Sequence, residues 1–200
     1  MDPTMQRRLI EEVAKVVISH ADELTTLDQA IGDGDHGLNM RRGALAILER
    51  LDDLAAQPLP DALKAAGQTL VMKVGGAAGP LYGTLLMTLG KEMPVAPIHS
   101  DVVRAVGTAL EAVKKIGRSD VGQKTMLDVL APVHEELATG GPGLFDRVRQ
   151  RGAAAADATV PMKAIKGRAS FLGERSIGHM DPGARSASLM IAAACTVMEE

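Results

Sequence analysis

Along most of the chain, apolar residues recur every three or four positions, the spacing that lines one face of an α-helix. Breakers and capping residues divide this pattern into eight predicted helices. The first covers about residues 4–27, with Leu9, Val13, Val16, Val17, Leu24 and Leu27 on one face. The second runs from about His36 to Leu54 and carries Leu38, Leu45, Leu48 and Leu51. A third begins near Asp61, after Pro60, and ends near Lys73. The fourth opens at about Pro80, a residue suited to a first helical turn. The fifth follows Ser100 as its N-cap and points Val103, Val106, Leu110, Val113 and Ile116 inward. The sixth holds Met126, Val129, Leu130, Val133 and Leu137 and must accommodate Pro132, which predicts a kink. The seventh and eighth span about 142–160 and 184–198. Leu70–Val74 is the one short strand candidate, and it sits inside a helical pattern. With no internal repeat and no linker, the expectation is a single all-α domain over residues 1–200, folded as an antiparallel bundle.

The connections fall into two groups. Gln57–Pro60, Gly90–His99 and Thr139–Gly143 follow even-numbered helices and are ordinary Pro/Gly turns. The connections after odd-numbered helices are Asp28–Asp35, Val74–Gly79, Gly117–Gly122 and the long stretch Met162–Gly183. If successive helices run antiparallel, these four share one end of the bundle. Parity alone thus predicts that an acidic, a glycine-rich and a basic loop converge.

Composition narrows the classes. Net charge is −3 and the pI is near 6, so no global basic field recruits nucleic acid. Two Phe, one Tyr and no Trp leave almost no platform for stacking bases. A single cysteine, Cys195, forbids an intrachain disulfide and reads as helix packing. No apolar run is long enough to span a bilayer, and no targeting segment is evident, since Glu11, Glu12 and Lys15 interrupt the stretch after Arg7 and Arg8. The expectation is a cytoplasmic protein without nucleic-acid or membrane partners.

Asp28, Asp33 and Asp35 are the sharpest chemical feature. Two like charges ~5 Å apart repel by roughly 3 kcal/mol at an effective dielectric near 20. A hard cation removes that cost, and an all-carboxylate set suits Mg²⁺ or Ca²⁺ better than Zn²⁺. The simpler alternative is a solvated acidic turn with Asp35 capping the next helix. A calcium EF-hand is excluded, because Ala44 stands where a loop counted from Asp33 needs its final Glu. Gly75, Gly76 and Gly79 precede a helix, as a phosphate-cradling loop would, or else permit close helix packing. No Gly-Lys-Ser/Thr follows, so this is not a P-loop. The long loop carries Lys166 and Arg168, suited to phosphate, and Ile165, Phe171, Leu172 and Ile177 to anchor it. Asp181-Pro-Gly183 makes a rigid turn before the last helix, and Arg175 has an alternative role as an ion-pair partner of Glu174 or another nearby carboxylate. His36 and His179 are candidates to orient phosphate, with His36 alternatively just the start of its helix, whereas His20, His99 and His134 have no chemical companions. Met126 and Leu127 either flank a base or belong to the core. The set reads as a metal–nucleotide site, where phosphoryl transfer requires positioning and charge neutralisation more than covalent chemistry.

At these residues the sequence resembles the DhaL family, the nucleotide-binding subunits of phosphotransferase-system-dependent dihydroxyacetone kinases. It is also similar to the C-terminal nucleotide domain of ATP-dependent dihydroxyacetone kinases. The matching segments are Leu27–Met40, Val74–Gly83, Lys124–Val129 and Lys166–Gly183. The resemblance implies an eight-helix antiparallel barrel with ADP or ATP at one end, and two Mg²⁺ ions held by Asp28, Asp33 and Asp35. Nucleotide contacts implied by motif fall on His36, Gly37, Leu38, Asn39, Ala77, Ala78, Gly122, Arg168, Asp181, Pro182 and Gly183. Family members commonly carry Ser where Ala78 stands, so one hydroxyl contact to phosphate is expected to be missing. The implied partners are a dihydroxyacetone-binding kinase subunit and a phosphocarrier subunit that recharges the nucleotide, with a homodimer left open. Two alternatives share these residues: a kinase component for another small ketose such as erythrulose, and a non-catalytic regulator sensing ADP.

Overall fold

A computed structural model describes residues 1–200, which form ten α-helices, one 3-10 segment and no strand. The helices are α1 (Pro3–Ser19), α2 (Ala21–Ile31), α3 (His36–Leu48), α4 (Leu51–Ala56), α5 (Leu59–Lys73), α6 (Ala78–Glu92), α7 (His99–Gly117), α8 (Leu127–Thr139), α9 (Leu144–Ala158) and α10 (Pro182–Glu199). The 3-10 segment Arg168–Ser176 lies in the long connection and bends at Gly173. Leu70–Val74 ends α5 and is no strand.

The all-α reading holds, but the count of eight helices does not. Each of the first two predicted helices is two. His20 separates α1 from α2 at φ −103°, ψ 10°, with its Nδ1 bonded to the Val16 carbonyl at 2.8 Å. Arg50 separates α3 from α4 in nearly the same conformation (φ −109°, ψ 12°). Its guanidinium reaches Thr69 Oγ1 on α5 at 2.8 Å and Asp53 at 2.7 Å. Neither break has a Gly or Pro to announce it. The expected kink at Pro132 does not end α8, which runs through it. Ser100 is not the N-cap of α7; that position is Ile98, whose N–H donates to Asp101.

Neighbouring helices pack in a consistent order. α1 packs on α3, α3 on α5, and α5, α6, α7, α8, α9 and α10 pack each on the next, with α10 returning to α1. One cluster of 19 buried residues joins α1 (Ala14, Val17), α3 (Met40, Ala44), α6 (Tyr82), α7 (Leu110, Val113), α8, α9 and α10. Inside lies an apolar cavity of about 330 Å³, whose 24 lining residues include a single polar side chain, Gln6. Gln6 turns its amide outward to the carbonyls of Leu54 and Gln57, both at 2.9 Å. No helix is long and apolar enough to cross a membrane.

Candidate functional site

A cleft of about 190 Å³ opens where the four odd connections meet. Its walls come from Asp28–Asn39, Gly75–Tyr82, Lys124–Met126, Lys166–Ala169 and Asp181–Gly183. Four helices, α3, α6, α8 and α10, begin here, so their positive dipole ends face one space, although first-turn N–H groups of α3, α8 and α10 already donate to Asp28, Thr125 and Asp181. At α6 no side chain caps those donors, whereas the Leu127 N–H that opens α8 donates to Thr125 Oγ1 at 3.2 Å. Such a convergence favours a multiply charged anion.

The carboxylates oppose this field. Asp28 lies in the last turn of α2, not in the loop, and is buried; its Oδ2 accepts the His36 N–H at 3.0 Å. Asp33 and Asp35 are exposed, and one oxygen from each of the three lies within 4.8 Å of the others. Gly34, at φ 77°, makes the left-handed turn that brings Asp33 and Asp35 to the same side. Asp35 occupies the N-cap position of α3, yet its side chain accepts no cap hydrogen bond. The capping alternative therefore fails, and the carboxylate is left available. All-oxygen donors at this spacing fit a hard divalent cation. Within the protein, the only cation reaching them is Arg168, whose Nε meets Asp33 at 2.9 Å.

The glycine loop presses against Asn39. A side chain at Gly75 would lie 2.7 Å from Asn39 Oδ1, so glycine lets the backbone close on this buried amide. His36, also on the cleft wall, reaches toward α10, its Nε2 3.0 Å from Ser186 Oγ. Burial lowers its pKa, while Asp28, Asp35 and a backbone bond to Pro182 oppose the shift. Ser186 Oγ is 2.8 Å from Tyr82 Oη, and Tyr82 donates to Gly183 O at 3.2 Å. Tyr82 lines both the cleft and the apolar cavity and so forms the partition between them. Burial raises the pKa of its phenol, which stays protonated. Asp181 caps α10 through Ala184 N at 2.7 Å, and burial pushes its carboxyl up to about 7.

Eight of the eleven nucleotide positions expected from the sequence line this cleft: His36, Asn39, Ala77, Ala78, Arg168, Asp181, Pro182 and Gly183. Gly37, Leu38 and Gly122 do not. Gly37 packs against Ala21 and Thr25 of α2, and Leu38 is 55% exposed. Gly122 (φ 86°) donates its N–H to Asp128, which also accepts from Thr125 N at 2.7 Å. His179 is exposed and off the cleft. His99 and His134 bond to helix carbonyls at 2.9 and 3.0 Å, a structural role. Glu174 pairs with Lys163 at 2.8 Å instead of Arg175. Met126 and Leu127 both belong to the core, and of the two only Met126 also lines the cleft. Lys124, Tyr82 and Ser186 escaped sequence reasoning as site residues. The one usable signal was Tyr82 itself, a lone tyrosine just after a glycine loop.

Comparison with known proteins identifies the family of the chain. The family model described as DAK2 domain matches residues 30–196. The ADP-binding subunit DhaL of PEP-dependent dihydroxyacetone kinase 1 from Listeria innocua is 43% identical over 184 residues, covering 92% of this chain and 90% of that protein. The ADP-binding subunit DhaL of the PEP-dependent dihydroxyacetone kinase of Escherichia coli is 38% identical, with 86% of each chain covered. Among solved structures, the dihydroxyacetone kinase from C. freundii in complex with AMP-PNP and Mg²⁺ superposes with a TM-score of 0.79 at 25% identity. That match takes in 98% of this chain but only 34% of the longer one. With most of its length matched by the family model and by close relatives, the chain belongs to the DAK2 domain family.

Proposed function

We propose that this chain is the nucleotide-holding subunit of a dihydroxyacetone kinase. It keeps ADP or ATP with two Mg²⁺ ions in the cleft and delivers the γ-phosphoryl group to dihydroxyacetone carried by a partner subunit. A phosphocarrier of the phosphotransferase system recharges the bound ADP. The observation that carries this reading is the meeting of three carboxylates within 4.8 Å with Arg168 and four helix N-termini in one cleft. The names of the relatives, ADP-binding subunits of such kinases, support the substrate and the division of labour. The packing order around the apolar cavity supports a closed barrel of eight rods, with α1–α2 and α3–α4 each counted as one rod.

Asp28, Asp33 and Asp35 are the proposed metal ligands, with Asp28 held in place by the His36 N–H. Bound there, Mg²⁺ supplies charge neutralisation and alignment of the phosphate oxygens for in-line transfer. Ala77 and Ala78 offer backbone N–H groups at the start of α6, the contact that survives without a Ser hydroxyl. Arg168, already beside Asp33, swings its guanidinium onto a phosphate oxygen. His36, Asn39, Asp181, Pro182 and Gly183 shape the rest of the pocket. Gly37, Leu38 and Gly122 contribute by fixing the backbone beside it.

Transfer requires the acceptor oxygen to lie in line with the γ-phosphate, and such positioning accounts for several kcal/mol of barrier lowering. The chain therefore acts only with its partner. Protein purified without added ligand should carry ADP by mass spectrometry. Alone with Mg-ATP and dihydroxyacetone it should form no product above background. Adding the substrate subunit should permit turnover, and adding the phosphocarrier should sustain it. Multiple turnover by the isolated chain would overturn the proposal.

A further inference from the structure

Lys124 is the largest of the fully buried side chains, only 1% exposed in the cleft wall, and it makes no direct carboxylate ion pair, the one acidic group acting on it being the buried Asp181. It sits between α7 and α8 at φ 62°, a left-handed conformation costly for any residue with a side chain. Its Nζ donates to two backbone carbonyls, Met162 O at 2.9 Å and Ser176 O at 2.6 Å. Those two carbonyls bracket the segment that carries Arg168. The flanks are pinned further: Ile165 N donates to Gln123 O at 3.2 Å and Ala164 N to Ser176 Oγ at 2.9 Å. Between the pinned ends the segment has little of its own. Arg168 is exposed over 70% of its side chain, and Phe171 is 89% exposed.

We propose that Lys124 is a positioning residue for phosphate binding, holding both ends of the Met162–Ser176 segment on one ammonium so that Arg168 is presented over Asp33. This rests on the nucleotide reading above. An ammonium suits the task because it offers three donors on a flexible stem and can bridge carbonyls from separate strands of chain. A thioether of similar length fills the space but donates nothing. Desolvating a cation and straining a backbone are costs that packing alone would not select. The two carbonyl bonds give those costs a purpose, because they fix a segment whose apolar anchorage is otherwise a cluster of only three buried residues, Ile31, Ala164 and Ala169.

The test is a double-mutant cycle read by calorimetry with ADP and Mg²⁺ as ligand. Lys124→Met should weaken ADP–Mg²⁺ binding about tenfold or more, as loss of charge-assisted bonds predicts. Arg168→Ala should weaken it comparably, and the double variant should bind no more than about twofold worse than Arg168→Ala alone. Hydrogen exchange across residues 162–178 should rise in Lys124→Met and not in Arg168→Ala. A purely structural role for Lys124 would instead give independent, additive losses, and that result overturns the proposal. Should Lys124→Met fail to fold by circular dichroism, Lys124→Gln, which is polar but shorter and uncharged, runs the same cycle under the same criterion. The wild-type arm separates the two readings. No ADP–Mg²⁺ binding by the wild type sinks the nucleotide assignment and this one with it. Tight wild-type binding with additive losses sinks only the role of Lys124.

Discussion

Replacing Asp35 by Asn should change stability in opposite directions with and without ligand. The side chain keeps its size, makes no cap bond and has no ion pair, so the substitution removes charge and little else. Its oxygen lies within 4.8 Å of an oxygen of Asp28 and one of Asp33. A pair at that distance repels by about 1 kcal/mol in water and by about 3 at an effective dielectric near 20. Asp35 is itself exposed, so solvent screens both of its pairs, the one with buried Asp28 less than the one with Asp33, and together they sum to about 2 kcal/mol. Loss of an anion at the α3 N-terminus returns roughly 0.5 kcal/mol. The metal-free variant should therefore gain about 1 to 2 kcal/mol over the wild type, or about 2 to 8 °C in Tm for a chain of this length. Urea denaturation in EDTA measures this arm. Adding Mg²⁺ with ADP at about 100 times Kd should then stabilise the wild type by roughly 3 kcal/mol and leave the variant unchanged. Less stable metal-free Asp35→Asn, or an equal response to Mg-ADP, would refute the assignment of these carboxylates to one cation site.

The buried carboxyl of Asp181 predicts a pH dependence. Its folded pKa is raised to about 7, so the folded state keeps a proton that the unfolded chain releases above its ordinary value of 3.8. Its contribution to stability is complete below that value and falls as pH rises through about 7, by up to roughly 4 kcal/mol. Asp181→Asn retains an N-cap acceptor and removes the titration. Ligand-free variant should exceed wild type in stability at pH 8, with the gap shrinking by about 2 to 3 kcal/mol at pH 5; a gap independent of pH would contradict the burial argument. Gly37→Ala tests the α2–α3 contact, since the added methyl would run into the Ala21 carbonyl and stand 2.7 Å from Thr25 N. It should cost about 1 to 3 kcal/mol in urea and weaken ADP–Mg²⁺ binding by displacing His36 and Asn39; wild-type values in both measurements would show that α3 can shift without consequence.

Helical class and the convergence of loops were legible in the chain because both are local or follow from counting. A 3.6-residue apolar period declares a helix, and alternation of direction sends every second connection to the same end. The acidic, glycine and Arg168 segments accordingly meet in one cleft. What the sequence could not supply is the direction in which each side chain points. His36 and Asn39, three apart on α3, face the cleft, while Gly37 and Leu38 between them turn toward α2 and solvent. A motif read as a continuous string assigns all four; a helix divides them. The breaks at His20 and Arg50 are equally invisible to local pattern, because one rests on a side chain folding back on a carbonyl and the other on a reach to α5. Lys124 is the extreme case. Its type and its place in a loop suggest a solvated charge, and only tertiary structure buries it by bringing the Met162 and Ser176 carbonyls, 38 and 52 residues along the chain, within reach of one ammonium.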